Sequence, residues 1–239
     1  MKGKKLSVLS LLAVSAMILT SCSSSNDASG VKIEVPDIPM HEAMGDFEGE
    51  LNIVNWAGFV DPKWTDKFEA DTGCKVKPRV AGTSDEMVTL MRTGQYDIVS
   101  ASGDAALRLI VGGDVQPLNV DLIPNFGDEI ATGMRNNIYD TVNGKPYGVP
   151  IGRGANLLQY NNDVTKGAPT SWDVVWETNS PYKGKITAYD APIYIADAAV
   201  YLMYHKPELG IKNPYALDKT QLDAAIALPV SYTHLTLPT

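Results

Sequence analysis

The chain has 239 residues, of which 44% are hydrophobic, and it carries a formal net charge of -8 at pH 7. This length is enough to bury a sizeable core in one or two domains. The acidic balance argues against nucleic acid as a partner and mildly favours cationic ligands, although acidity is also an ordinary way to stay soluble.

The first 22 residues have the pattern of a targeting segment. A start with three lysines precedes residues 6–20, an uncharged apolar stretch that is too short to span a bilayer comfortably. The stretch ends in Leu19-Thr20-Ser21-Cys22, which resembles the lipobox of bacterial lipoproteins. We therefore predict a signal peptide over residues 1–22 and a lipid anchor on Cys22, which would tie the chain firmly to a membrane.

Residues 23–48 are predicted to form a flexible tether. The run Ser23-Ser24-Ser25-Asn26-Asp27-Ala28-Ser29-Gly30 has almost no apolar content, and prolines follow at positions 36 and 39. A segment of this composition cannot bury enough apolar surface to order itself. His41 lies in this stretch and is expected to be exposed.

Residues 230–239 break the helical pattern that precedes them. Their letters VSYTHLTLPT back-translate as GTC TCT TAT ACA CAT CTG ACG CTG CCG ACG, which reads like a transposase-type sequencing adapter. We therefore predict that residues 230–239 are foreign to the protein, and we assign no function to their side chains.

From residue 51 the pattern becomes that of an α/β domain. Strands are predicted over residues 51–56, 75–80 and 96–99, and helices over 63–71, from the capping box Thr83-Ser84-Asp85-Glu86 to before Gly94, and over 104–111. This alternation predicts a mainly parallel sheet covered by helices. Ligands bind outside the carboxyl ends of such strands, which here fall at Trp56, at Gly82 and at residues 100–104.

A second block begins near residue 154. It contains predicted strands over residues 155–160 and 184–189 and predicted helices over residues 171–177, 193–205 and 218–228. We predict a first lobe over residues 49–153 and an incomplete second lobe over residues 154–229. Cys74 lies in a strand-like run and is predicted to be a buried thiol without metal-binding spacing around it.

The residues favour a binding protein over an enzyme. Outside the last ten residues the histidines are His41, in the tether, and His205, at a helix end, where an imidazole is favourable. The chain has no nucleophile elbow, no zinc-binding histidine motif and no phosphate loop. We expect no catalytic residues, no metal and no cofactor, and the absence of repeats argues against a structural lipoprotein.

Several stretches, taken in order, resemble the substrate-binding proteins of spermidine/putrescine-type ABC importers, and within them the YdcS-like branch. These stretches include Asn55-Trp56, Thr83-Ser84-Asp85-Glu86-Met87-Val88, Tyr96-Asp97-Ile98-Val99, Val115-Gln116-Pro117-Leu118, Lys145-Pro146-Tyr147-Gly148-Val149-Pro150, Thr170-Ser171-Trp172 and Tyr189-Asp190-Ala191-Pro192-Ile193-Tyr194. No single stretch is specific, and the resemblance depends on their common order and spacing.

The resemblance implies a periplasmic-binding-protein-like α/β fold of type II, with two lobes that close on a solute about a hinge. The second lobe is expected to be incomplete in this chain. The resemblance also implies an ABC permease and an ATPase as partners, a monomeric state, and a location outside the cytoplasm on the bacterial membrane. The implied solute is a polyamine such as putrescine or spermidine.

The resemblance also implies particular ligand-binding residues. Trp56 matches an aromatic residue that packs against the methylenes and ammonium groups of a polyamine, and an indole face attracts a cation. Ser102 matches a ligand serine, and Asp104 replaces a tyrosine of the polyamine binders. Asp190 matches a carboxylate of the second lobe, and Tyr194 stands at a position that is acidic in the polyamine binders.

Some alternatives remain open at the level of sequence. Trp56 could be a core or hinge residue, and Tyr194 could belong to a core stripe with Tyr201, which is seven residues further along the same helix. Arg153 stands where the family has an aromatic residue, and it would repel an ammonium group or pair with Asp104 or Asp190. Another small cation, an amino acid or a betaine-like solute is therefore the alternative ligand, and a secreted enzyme is the alternative class.

Overall fold

The computed structural model describes residues 31–187 and 191–233, with side chains described as far as residue 228. The predicted signal peptide with Cys22, the first residues of the tether, Asp190 and residues 234–239 lie outside the described residues. Among the residues that are described, no helix is both long enough and apolar enough to span a bilayer.

Strands and helices alternate through the first half of the chain, and helices dominate the second half. The elements are β1 Glu50–Asn55, α1 Pro62–Thr72, β2 Lys75–Val80, α2 Ser84–Met91, β3 Ile98–Val99, α3 Gly103–Gly112, β4 Thr141–Val142, β5 Lys145–Pro146, α4 Asp173–Trp176, α5 Ile193–His205 and α6 Lys219–Thr233, with short 3-10 turns at Val120–Leu122, Thr132–Met134 and Pro207–Leu209. The predicted helices of the first lobe and the predicted long helix over residues 193–205 are confirmed. The predicted break of the helical pattern after residue 229 is wrong, because α6 continues to Thr233.

The first lobe is built on a parallel sheet with the strand order β2-β1-β3. At the carboxyl end of β1, the Asn55 carbonyl accepts a hydrogen bond from Ala81 N at 3.0 Å, and the Val54 carbonyl accepts one from Ser100 N at 2.8 Å. These two bonds hold the ends of all three strands at one edge of the sheet. The predicted parallel sheet is confirmed.

The boundaries of α1 follow from its sequence. Asp61 accepts a hydrogen bond from Lys63 N at 3.0 Å as the N-cap, and Pro62 occupies the first turn, where it has no hydrogen bond to lose. Gly73 ends the helix in a left-handed conformation with φ of 76°, which costs glycine little. The predicted stop at Thr72-Gly73 is therefore confirmed.

The third strand is shorter than predicted. It covers Ile98–Val99 only, because Asp97 is used differently. Asp97 N donates to the Asn52 carbonyl at 2.9 Å, and the Asp97 carboxylate accepts from Asn52 N at 2.7 Å. The side chain thus takes over one of the ladder bonds and ends the regular pairing.

Two strands predicted in the second lobe are wrong within the described residues. Residues 155–160 and 184–187 have no regular structure, and most side chains of residues 155–160 are exposed. A strand needs a neighbour for its backbone N–H and C=O groups, and periodicity alone does not supply one. The core of this lobe is instead made by helices, with Val175, Trp176, Ala198, Ala199 and Leu202 buried together.

Part of the segment predicted as a tether contacts the first lobe. Val31, Ile33 and Val35 are half-buried and alternate with exposed residues, as in an extended segment that rests on a surface. Ile33 and Val35 pack against a cluster that contains Leu107 and Ile110 of α3. The alternation of apolar and polar residues was a signal for this contact, and the composition of the tether as a whole concealed it.

We predict that Ile33→Ala lowers the free energy of unfolding by about 1 kcal/mol, less than the 2–5 kcal/mol typical of a fully buried isoleucine. Chemical denaturation measures this change. Met44→Ala, in the exposed part of the same segment, is the matched control and should change stability by less than about 0.5 kcal/mol. Equal stability of both variants with the parent chain would show that the segment is not held to the lobe.

Candidate functional site

The turn after β1 places Trp56 at the carboxyl edge of the sheet. The Trp56 carbonyl accepts hydrogen bonds from Asn55 Nδ2 at 2.8 Å and from Phe59 N at 3.1 Å, so the turn is fixed on both sides. The indole is half-buried and packs against the first-lobe core of Val54, Ala81 and their neighbours. Part of the ring therefore serves the core, and part of it remains exposed.

The second strand end that matters leads into α3. Ser102 is the N-cap residue of α3, but its hydroxyl makes no capping hydrogen bond. Gly103 follows and is buried, and a Cβ at this position would lie 3.0 Å from Tyr139 Cγ and 3.0 Å from Tyr215 Cε1. Only glycine lets these two rings approach the start of the helix so closely.

Asp104, in the first turn of α3, has an unusual environment for a carboxylate. Its Oδ1 accepts a hydrogen bond from Ser84 Oγ at 3.3 Å, whereas its Oδ2 is buried and has no partner among the described residues. Burial raises the pKa of Asp104, and the bond from Ser84, nearby backbone N–H groups and Arg108 oppose this rise only in part. A partner with positive charge would relieve this cost.

Two tyrosines form a wall beside Asp104. The rings of Tyr139 and Tyr215 meet edge to face with centroids 5.5 Å apart. The chain near Tyr215 is held in place because Asn213, which is buried, donates from Nδ2 to the Ile138 carbonyl at 3.1 Å. Burial raises the pKa of Tyr215, and the carboxylates of Asp197 and Asp104 add to the rise. Tyr215 therefore lies within the electrostatic reach of both carboxylates.

Those two carboxylates come from different lobes, since Asp104 belongs to α3 and Asp197 belongs to α5. Asp197 accepts two hydrogen bonds from Asn156 Nδ2, at 2.8 Å and 3.0 Å. The helices α3 and α5 also approach each other directly. The structure thus brings carboxylates of both lobes toward one region that is walled by tyrosine.

Tyr194 lies in the first turn of α5 and contacts the core of the second lobe. Its ring centroid is 4.8 Å from that of Trp176, which is buried. Burial, with a contribution from Asp197, raises the pKa of Tyr194 to about 12. The ring therefore packs in the core next to Asp197, and a direct role for Tyr194 in ligand binding stays a prediction.

Arg153 is exposed and sits near the tyrosine wall. Its positive charge acts against the rise of the pKa of Tyr139 that burial and Asp140 cause. Within the described part of the chain Arg153 forms no ion pair with Asp104, so the first of the two pairings expected from sequence is absent there. The second pairing, with Asp190, lies outside the described residues.

His205 belongs to a separate polar cluster at the carboxyl end of α5. The hydroxyl of Tyr201 contacts Asp173 Oδ1 at 2.9 Å and Glu177 Oε1 at 2.8 Å, and the His205 ring stacks on Tyr201 at 3.9 Å. This cluster joins α4 to α5 beside an open cavity of about 400 Å³. Within the described residues no group of three histidine, cysteine or acidic side chains is arranged to hold a metal ion.

Sequence reasoning brought Trp56, Ser102 and Asp104 to one sheet edge, and the structure confirms their placement there. It missed the supporting residues Asn55, Ser84, Tyr139, Tyr215 and Asp197. Asn55 carried a signal, since an asparagine that ends an apolar strand is a polar residue in a buried place. The two tyrosines carried none, because they are 76 positions apart in the sequence.

The architecture is a two-lobed α/β fold of the periplasmic-binding-protein-like class. Residues 63–232 match the family model described as bacterial extracellular solute-binding protein. This match covers most of the chain, and the chain belongs to that family. Family members act outside the cytoplasm, as the family description states.

The solved structures that are similar to this chain include the following two. A protein described as a spermidine/putrescine ABC transporter from Listeria monocytogenes is 20% identical, with a TM-score of 0.54 over 78% of this chain and 55% of that chain. The spermidine/putrescine ABC transporter substrate-binding protein PotD from Streptococcus pneumoniae is 21% identical, with a TM-score of 0.49 over 79% of this chain and 55% of that chain. The chain thus spans about half the length of these structures, and at such identity the first likeness supports the fold alone.

We predict that Asp104→Asn raises the thermal midpoint of the ligand-free protein at pH 7. A carboxyl group whose pKa is raised by folding contributes stability below its unfolded pKa and loses that stability as the pH rises through the folded pKa. Removing the charge therefore helps at pH 7 and has no such effect at about pH 3, below the ordinary aspartate pKa of about 3.9. Thermal denaturation at both pH values measures the difference.

The matched control is Asp85→Asn, an exposed aspartate on α2 that pairs with Arg108. It should not raise the midpoint at either pH. A midpoint of Asp104→Asn below that of the parent at pH 7 would mean that the carboxylate is satisfied within the fold.

Proposed function

We propose that the protein is a solute receptor of an ABC importer that captures a small cation, a polyamine such as putrescine or spermidine, and delivers it to a membrane permease. The observation that carries this proposal is the environment of Asp104. Its carboxylate is half-buried at the edge of the sheet that also carries Trp56, with one oxygen lacking any partner among the described residues. An ammonium group next to an indole face would supply the missing charge and hydrogen bond.

The proposed ligand extends from one lobe to the other. Trp56 supplies a stacking face, Ser102 a hydroxyl group and Asp104 a charge from the first lobe. Asp190, expected from the family resemblance, would supply the charge of the second lobe. A linear dication matches this arrangement because its charges are separated by methylenes that can lie against Trp56, Tyr139 and Tyr215.

Lipid anchoring through Cys22 is part of the same proposal. The support is the lipobox-like end of the apolar segment, followed by the serine-rich residues 23–30. The contact of Ile33 and Val35 with the first lobe would shorten the free part of the tether and keep the receptor near the membrane. Permease and ATPase subunits are the partners proposed with this arrangement, and we propose a binding role without catalysis.

An amino acid is the second candidate ligand, and Arg153 is the observation that favours it. Its charge reaches Tyr139, whose ring packs against Gly103 next to Asp104. A zwitterion could then place its ammonium group on Asp104 and its carboxylate on Arg153. Amino acids tested as competitors against a polyamine in one titration separate the two candidates.

We predict that putrescine or spermidine stabilises the full-length gene product by about 2.7 kcal/mol at a hundredfold excess over Kd. Trp56→Ala should weaken this binding by about 2- to 30-fold, which corresponds to a cation–π contribution of about 0.5–2 kcal/mol. Thermal denaturation with and without the polyamine measures the stabilisation, and calorimetric titration measures the change in affinity.

Trp64→Ala is the matched control, because Trp64 is a tryptophan of α1 that is 56% exposed and, unlike Trp56, does not pack against the first-lobe core. It should leave the affinity unchanged. A protein that no polyamine stabilises would contradict the proposed solute class.

We predict that long-read sequencing of the source locus shows a reading frame that continues beyond codon 229 without the adapter-like codons. Genes for a permease and an ATPase should lie beside it. A genuine stop after codon 239, with no transporter genes nearby, would contradict both the adapter interpretation and the importer proposal.

A further inference from the structure

The sheet edge that carries Trp56 holds two buried oxygen atoms that have no hydrogen-bond partner among the described residues. They are Asn55 Oδ1 and Asp104 Oδ2. Buried polar atoms in native proteins are nearly always paired, so each exception needs an explanation. Because both unpaired atoms lie at the carboxyl edge of one sheet, we look for one explanation that covers both.

In each of these two residues, one polar side-chain atom forms a hydrogen bond and the other has no partner among the described residues. Asn55 is only 1% exposed, and its Nδ2 donates to the Trp56 carbonyl at 2.8 Å, which fixes the amide plane and leaves Oδ1 without a partner. Asp104 receives a hydrogen bond on Oδ1 from Ser84, which is itself 4% exposed at the start of α2. Ser84 therefore holds the carboxylate in place with its Oδ2 unused.

Both unpaired atoms are acceptors, and this restricts the group that can satisfy them. An amide oxygen and an ionised carboxylate oxygen accept hydrogen bonds and cannot donate them. We infer that Asn55, Ser84 and Asp104 form an acceptor subsite that takes a group with N–H donors, a primary or secondary ammonium, and that discriminates against a quaternary ammonium. This inference rests on the proposed function and specifies the end group of the solute.

The discrimination comes from hydrogen bonding rather than from charge. A quaternary ammonium has the same charge as a primary one, so Asp104 and the Trp56 face would still attract it. It has no N–H group, however, and would bury Asn55 Oδ1 and Asp104 Oδ2 without satisfying them. A site built to hydrogen-bond its ligand rejects an analogue that lacks the donors far more strongly than a site of matching shape alone.

The experiment is a calorimetric titration of the full-length gene product with three diamines. Putrescine has primary ammonium ends, tetramethylated putrescine keeps one N–H at each end with added bulk, and fully permethylated putrescine has none. We expect affinity to fall in this order, with a loss of about tenfold or more between the tertiary and quaternary forms, since these two differ little in size.

Ser84→Ala tests the positioning role of Ser84. The variant should weaken the binding of putrescine by about tenfold and leave the binding of the permethylated form unchanged. The ratio of the two affinities then becomes smaller. Ser180→Ala is the matched control, because Ser180 is also a buried serine that donates a hydrogen bond, to the Val174 carbonyl at 2.6 Å in the second lobe. It should change neither affinity.

Two results would overturn the inference while the proposed function stands. Equal affinities of the tertiary and quaternary forms would show that bulk and not N–H donors governs selection. An equal effect of Ser84→Ala on putrescine and on the permethylated form would show that Ser84 supports the fold and not the subsite. Failure of every amine to bind would overturn the proposed function and this inference together.

Discussion

The candidate site of the first lobe depends on the pairing of β1 with a parallel neighbour on each side. Because all three strands run in the same direction, their carboxyl ends meet at one edge, where Trp56, Gly82 and Ser102 begin the following turns. A single antiparallel strand in this sheet would send one of these turns to the opposite edge. The parallel pairing is therefore the constraint that assembles the site.

The edge is built at some cost to the stability of the fold. A carboxylate with one unpaired oxygen and an amide with another are unfavourable in a closed interior. The fold keeps them because neighbouring contacts hold the residues firmly, through Ser84 for Asp104 and the Trp56 carbonyl for Asn55. Groups that are unsatisfied in a ligand-free receptor are what a ligand can satisfy, so the cost to folding becomes a gain in binding.

The tyrosine wall connects this edge to the second lobe. Tyr139 and Tyr215 contact Gly103, and the carboxylates of Asp104 and Asp197 both raise the pKa of Tyr215. The wall therefore stands where a change in the angle between the lobes would alter the distance between the two charges. Under the proposed function, a solute with two cationic ends would favour one such angle and so drive closure of the lobes about a hinge.

Local sequence determined much of the first lobe. The N-cap Asp61, the capping Thr83 and the stop at Gly73 act through their immediate neighbours, so the helices α1 and α2 could be predicted with near-correct limits. The strand ends at Trp56 and at residues 100–104 were also predictable, because parallel strands place their carboxyl ends at one edge of a sheet. The ligand-binding roles of Trp56, Ser102 and Asp104 came from the family resemblance and stay predictions.

Only the tertiary structure decided what surrounds those residues. The buried state of Asn55, the bond from Ser84 to Asp104 and the approach of Tyr139 and Tyr215 all join positions that are far apart in sequence or that gain their meaning from burial. The strands expected at residues 155–160 and 184–189 failed in the described residues for the same reason. Periodicity reports which residues could form a strand, whereas a partner strand, which only the fold can supply, decides whether one forms.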